Sequence, residues 1–240
     1  MATQVLSFNT DAELAQAAAL AFLHWAMTRR GQTTTVALAG GRITGTFYDA
    51  IVAHVLPEQR AALQGLDYFW GDERCVPPES ADSNFKLAQD RLFAPLGIPE
   101  QRKHRVLGEL PPMEAAARIA EELAQFAPIV PGEHPRLDLV LLGMGEDGHV
   151  ASLFPNAPAE VGESRAIYLP VIGHKPPPQR ISLSYPQLHA AADVWVLVAG
   201  AGKLAPLRDA LGGECSFGLG RMLAGRSKTK IFESVGHGSR

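Results

Sequence analysis

The sequence predicts an α/β protein: a Rossmann-like, mainly parallel sheet with helices on both faces, in a single domain spanning 1–240. Three observations predict it. Short apolar, β-branched runs alternate with helix-period segments, the order that builds parallel sheets. One of these runs, Leu137 to Leu142, is almost continuously apolar, as a strand covered on both faces requires. The chain has 240 residues, 46% of them hydrophobic and 20% charged, enough to bury one substantial core.

The elements follow in order. Thr10 and Glu13 stand at capping-box spacing and open a helix that runs to Arg29-Arg30 and stops at Gly31. Thr33 to Gly41 reads as a strand ending in a glycine turn, followed by a helix from about Thr46 to Leu56. Leu66 to Trp70 is the next strand, ending in Gly71-Asp72-Glu73-Arg74. Asn84 to Leu92 and Glu114 to Phe126 are helical, and Leu137 to Leu142 is a strand. Ala166 to Ile172 and Arg180 to Ser184 are short strands on either side of Pro176-Pro177-Pro178. Ala192 to Ala199 is a strong strand whose glycine turn, Gly200-Ala201-Gly202, starts a helix through Leu211. A weak strand passes through Lys230-Ile231-Phe232, and 236–240 is expected to be a mobile tail.

Net charge is −3, so no overall basic field invites nucleic acid or an anionic membrane. No apolar run approaches the roughly 20 residues of a membrane span. The start, MATQVLSFNT, lacks the pattern of a signal peptide, which makes the cytoplasm the expected compartment. There Cys75 and Cys215 are expected as free thiols. The histidines show no H-x-H or H-E-x-x-H spacing, so neither a metal nor any other cofactor is expected.

Ligands of open α/β sheets bind at the carboxyl ends of the strands. Four such ends carry unusual residues: Gly40-Gly41-Arg42, Asp72-Glu73-Arg74, Gly145 to His149, and Gly200 to Lys203. Gly143-Met144-Gly145-Glu146-Asp147-Gly148 matches G-x-G-x-x-G after a strand. Glu146 and Asp147 would stand where a pyrophosphate belongs, however, and no acidic residue ends a strand about 20 positions later to hold a ribose. The alternative gives the loop to His149, a general base oriented by neighbouring carboxylates, against a bland role in packing the loop. No G-x-S-x-G elbow surrounds Ser152, which is expected as a hydrogen-bonding residue in a first helical turn. Gly202-Lys203 fails the P-loop pattern, since Leu197 and Leu204 replace its glycine and hydroxyl. Lys203 at a helix start, Arg42 after its glycines, and Lys175 and Arg180 beside a proline-stiffened loop remain either anion contacts or solvated bases.

The stretches Trp70 to Pro77, Asp82-Ser83-Asn84 and Leu141 to Pro155 resemble the signatures of the 6-phosphogluconolactonase family. Lys175-Pro176-Pro177, Arg180-Ile181-Ser182, Ala199-Gly200 and Lys203 extend the resemblance, which runs in order from about residue 10 to 233. It implies hydrolysis of 6-phospho-D-glucono-1,5-lactone without a cofactor, with that sugar-phosphate lactone as partner; a monomer or weak dimer is expected, though the sequence does not decide between them. It implies His149 as the histidine that activates water, with Asp147, Asp72 and Arg74 beside it. Substrate contacts would come from Gly40, Gly41, Arg42, Asn84, Gly145, Arg180 and Lys203. The first turn departs from the family's usual Gly-Gly-Ser/Thr-x-Pro: here Arg42 replaces the hydroxyl, or Thr44 takes its role. The rivals are a glucosamine-6-phosphate deaminase, which would carry Phe-Asn-Glu-Pro in place of Ser152-Leu153-Phe154-Pro155, and a non-catalytic sugar-phosphate sensor.

Overall fold

A computed structural model describes residues 2–127 and 133–236, so 237–240 of the expected tail lie outside the described residues. The elements are β1 (Ala2–Ser7), α1 (Asp11–Thr28), β2 (Thr35–Leu38), α2 (Arg42–His54), α3 (Pro57–Gln64), β3 (Asp67–Trp70) and β4 (Asp72–Arg74). Then come α4 (Asn84–Ala88), a π-helical turn (Gln89–Phe93), α5 (Ala94–Leu96), α6 (Pro112–Phe126) and β5 (Leu139–Gly143). The remainder is α7 (Ala159–Glu163), β6 (Tyr168–Ile172), β7 (Gln179–Leu183), α8 (Tyr185–Ala190), β8 (Asp193–Ala199), α9 (Leu204–Leu211), α10 (Gly218–Ala224) and β9 (Lys228–Ser234).

Six strands form a parallel sheet in the order β1-β9-β8-β5-β2-β3. The centre of this sheet is dry: β8 is buried along its whole length and β5 from Leu139 to Leu142, which is why neither shows polar alternation. Alternation along β3 shows what covers the two faces. Tyr68 and Trp70 meet Phe93 at ring separations of 5.0 and 6.0 Å, and the Tyr68 hydroxyl donates to the Leu63 carbonyl of α3. Phe69 points the other way, onto Phe126 of α6 at 5.9 Å. Helices therefore cover both faces, and most buried side chains from α1 to β9 join in one core cluster, with Phe154, Leu169 and Val171 in a smaller one.

A second, antiparallel sheet, β4-β7-β6, begins one residue after β3. Gly71 makes the transition: its N–H donates to Leu38 of β2 at 2.8 Å, while its carbonyl accepts from Leu183 of β7 at 2.9 Å. Asp72-Glu73-Arg74 is thus a strand rather than a charged loop. Arg180 lies in β7, the strand expected from Arg180 to Ser184, directly opposite Arg74.

Other expectations are corrected as well. Helix α2 starts at Arg42 instead of Thr46, because Gly41 at φ +93° turns the chain at once. No helix follows Gly148: Ala151 sits at φ +50° and Leu153 N–H closes a turn onto Val150, so Ser152 is not in a first helical turn. The Thr10–Glu13 box is half made. Thr10 accepts from Glu13 N–H, but the Glu13 carboxylate reaches Asn9 instead. Strand β1 and helices α3 and α10 have no clear local signal; β1 is a polar edge strand supported only by its parallel pairing with β9.

Candidate active site

Four strand ends and the second sheet close around one cleft. Of the eleven residues singled out from the sequence, ten line it: Gly40, Gly41 and Arg42 from the end of β2; Asp72, Arg74 and Asn84 from β4 and the start of α4; Gly145 and His149 after β5; Arg180 from β7; and Lys203 after β8. The eleventh, Asp147, stands behind His149.

The loop after β5 is built to hold the imidazole. Gly145 N–H donates to the His149 carbonyl at 2.9 Å and Gly148 N–H returns to Gly145 at 3.1 Å, a tight turn that needs Gly148 at φ +82°. Asp147 Oδ1 then lies 2.5 Å from His149 Nδ1 and 3.3 Å from its backbone N–H. With Nδ1 engaged, Nε2 is the nitrogen left for the cleft that the ring lines. Burial alone would raise the Asp147 carboxyl, but the charge and hydrogen bonds of His149 hold it below the usual carboxylate range. The Phe154 ring packs 4.6 Å from the imidazole and 5.6 Å beneath the Arg180 guanidinium.

Strand alternation sorts the acidic-Arg stretch. Asp72 and Arg74 face the cleft, whereas Glu73 faces inward and is 2% exposed. Its carboxylate accepts from the N–H groups of Arg74, Asn84 and Phe85 and from the Ser83 hydroxyl, at 2.7 to 3.1 Å. Burial pushes this carboxyl up to about 7, while those N–H groups pull it back. Glu73 thereby fixes the start of α4 against β4. In the sequence, the signal for this task is its place between two outward residues of a strand. Asn84 in turn donates to the Asp72 carbonyl at 2.8 Å, and a Cβ on Gly40 would collide with the Asn84 side-chain oxygen, so only glycine fits there.

Asp72 is 8% exposed, and Ser152 secures it: the Ser152 Oγ donates to Asp72 Oδ2 at 2.6 Å. The loop that carries His149 therefore also fixes Asp72. Arg74 donates to the Asp82 carbonyl at 2.6 Å and Arg180 to the Lys175 carbonyl at 3.4 Å, yet each keeps a buried Nε without a protein acceptor. Two guanidiniums, that of Arg180 buried and that of Arg74 half-buried, with donors to spare make a site for anionic oxygens. Burial pushes the Arg180 guanidinium down from its usual value, opposed by Asp72. Burial, and then Arg42, lowers the Lys203 amine.

Thr44 does not take the turn's hydroxyl role. It is fully buried, and its Oγ1 donates to the Gly40 carbonyl at 2.8 Å. Arg42 faces the cleft in its place. Glu146 is exposed and lines a different hollow, beside α9. Among the described residues no three His, Cys, Asp or Glu side chains are grouped to hold a metal, and no helix is long and apolar enough to cross a membrane.

The chain as a whole is similar to known proteins. The 6-phosphogluconolactonase of a Nostoc species is 40% identical over 170 residues, covering 70% of this chain and 68% of that protein. That of Streptomyces coelicolor is 38% identical over 224 residues, covering 88% and 84%. The solved structure of 6-phosphogluconolactonase from Trypanosoma brucei superposes with a TM-score of 0.82 at 27% identity, over 97% of this chain and 96% of that one. A family model described as glucosamine-6-phosphate isomerases/6-phosphogluconolactonase matches residues 9–217, which include the β5 loop, the acidic-Arg strand and Arg180. The chain belongs to the glucosamine-6-phosphate isomerase/6-phosphogluconolactonase family.

Proposed function

We propose that this chain is a 6-phosphogluconolactonase, hydrolysing 6-phospho-D-glucono-1,5-lactone to 6-phospho-D-gluconate with His149 as general base. The observation that carries the mechanism is the pairing of His149 Nδ1 with Asp147 in a cleft that also holds the Arg74 and Arg180 guanidiniums. Asp147 keeps the proton on Nδ1, which leaves the Nε2 lone pair to take one from water. The hydroxide oxygen bonds to the lactone carbonyl carbon, and the carbonyl electrons move onto oxygen. Spare N–H donors of the kind Arg74 and Arg180 carry stabilise that oxyanion. As it collapses, the bond from the carbonyl carbon to the ring oxygen breaks, and the imidazolium returns its proton to the leaving oxygen. The new carboxylic acid ionises in water.

Binding energy from the remote phosphate orients the lactone, so cationic groups away from the carbonyl contribute to rate through placement. Asp72, held by Ser152 and Asn84, suits the sugar hydroxyls, as an acceptor for their O–H groups. Phe154 covers the His149 ring at the position where the deaminase pattern has its glutamate, so no second carboxylate enters from that stretch of sequence. The same reading takes the enzyme to be cytoplasmic, a monomer or weak dimer, with no nucleic-acid partner, in keeping with a net charge of −3.

The test is an assay of purified protein on freshly generated 6-phosphogluconolactone beside glucosamine 6-phosphate, with spontaneous lactone opening subtracted. Rapid hydrolysis of the first and no ammonia from the second is expected. Ammonia release without lactone hydrolysis would overturn the assignment.

A further inference from the structure

The hairpin between β6 and β7 brings a second imidazole to the carboxylate that orients His149. Gly173 N–H donates to the Pro178 carbonyl at 2.7 Å and closes the hairpin. A Cβ on Gly173 would come within 3.1 Å of both the Phe154 ring and the Arg180 Nε, so the lack of one lets the chain pass this close. The next residue, His174, stands edge-on to Phe154, with ring centroids 5.1 Å apart at 74°. Phe154 therefore packs against two imidazoles, those of His149 and His174.

Asp147 addresses the same two. Its Oδ1 is taken by His149 Nδ1 at 2.5 Å. Its Oδ2 is shut away from solvent and has no hydrogen-bond partner among the described residues, which is costly for a charged oxygen. His174 Nε2 stands 3.9 Å from that oxygen, within ion-pair reach but longer than a hydrogen bond. The His174 side chain is 51% exposed and free to tilt the remaining distance. Hydrogen bonds around a catalytic base commonly tighten when substrate binds. Arg180, which lines the cleft, lies on the second strand of the same hairpin.

We propose that His174 is a positioning residue for the general base: it is the second donor to Asp147, holding that carboxylate on His149 and moderating its pull on the His149 proton. The proposal rests on the lactonase reading above and extends it to a residue one position outside the stretches that carry the family resemblance. His174 is not among the residues that line the cleft, so it acts through Asp147. A carboxylate shared by two donors gives less negative charge to each, and His149 is then more readily free of its proton and able to act as base. Arg180 and Lys175 add positive charge from the same hairpin, while Glu146, Asp209 and Glu214 add negative charge from the hollow beside Asp147. Asp72 faces the cleft from β4. All of these stay in place when His174 alone is changed.

The experiment compares wild type, His174→Ala and His174→Gln. It reads kcat and KM for 6-phosphogluconolactone across pH, and follows the His149 ring signals by NMR of histidine-labelled protein over the same range. His174→Ala is expected to lower kcat about fivefold with KM unchanged, the weight of one ordinary hydrogen bond. The acid limb of kcat and the midpoint of the His149 signals should both move toward higher pH, by about half a unit. Glutamine keeps an N–H donor, so His174→Gln should recover most of both effects. Wild-type kcat and an unmoved limb in His174→Ala would overturn the proposal. So would an effect confined to KM, which would place His174 against the substrate, or a glutamine variant no better than alanine. The thermal midpoint should not change; a loss of kcat that tracks a lower midpoint would assign the effect to folding and overturn the positioning role. A wild type that hydrolyses no lactone would sink the lactonase reading alone, and the His149 signals in the variants would still decide the role of His174.

Discussion

Replacing His149 with asparagine removes the imidazole while leaving its surroundings standing. The turn that presents it is held by backbone bonds, Gly145 N–H to the His149 carbonyl and Gly148 N–H to Gly145, which asparagine does not disturb. The side chain is only partly buried, so the stability change should stay within about 1 kcal/mol. Asparagine can still reach Asp147, but it offers no basic nitrogen to the cleft. Positioned proton transfer contributes about 10²–10⁴ in rate, or roughly 2.7–5.4 kcal/mol of barrier, and kcat on 6-phosphogluconolactone should fall by that factor. KM should change little, because Arg42, Arg180 and Lys203 are untouched. The pH profile adds a second readout. A general base of this kind predicts a wild-type rate that falls on the acid side. Asp147, held below the usual carboxylate range, remains ionised there and cannot produce that limb. The asparagine variant should therefore be flat where the wild type declines. A folded variant with near-normal kcat and an intact acid limb would refute the assignment and make Asp72 the base to test.

Arg180→Ala, which removes a buried guanidinium with a spare donor, should reduce kcat/KM for the phosphorylated lactone by an amount equivalent to about 1.5–3 kcal/mol. A variant with unchanged kinetics would show that this donor meets no substrate oxygen. Ser152→Ala deletes the 2.6 Å bond to the buried Asp72 carboxylate and should destabilise the fold by about 1.5–3 kcal/mol in a urea melt, while kcat drops as Asp72 loosens. An unchanged midpoint would mean the bond contributes nothing net. Far from the cleft, His104 is 5% exposed between Asp67 and Glu122; burial opposes its charged form, but the two carboxylates raise it above 6.5. Its stabilisation is thus fully present below pH 6.5 and lost as pH rises through the raised value, and His104→Gln should flatten that part of the stability–pH curve. A slope that survives the substitution would assign it to other groups.

The features legible in the sequence are those that local physics writes into it. The dry strands β5 and β8 appear as apolar runs because both of their faces are covered. The glycine turns appear because sharp reversals at strand ends need them, and in a parallel sheet all those ends meet on one side. That is why ten residues taken from scattered stretches line one cleft. The motif Asp147-Gly148-His149 already contained its own partner, two residues away.

What the tertiary structure alone decided depends on pairings between distant positions. Asp72-Glu73-Arg74 reads as a charged loop until β7, more than 100 residues later, pairs with it and sets Arg180 opposite Arg74. Alternation then sends Glu73 inward to brace α4, a role invisible while the stretch has no strand partner. Ser152 belongs to Asp72 across 80 positions, and Arg42 is ordered by Asp11 and Ser234 from opposite ends of the chain. Strand β1, short and polar, exists because β9 supplies its hydrogen bonds. Periodicity and turn chemistry encode the backbone of each segment. Which side chains meet between segments follows from topology, and a hydrogen bond a few ångströms long leaves no mark on the spacing of residues a hundred positions apart.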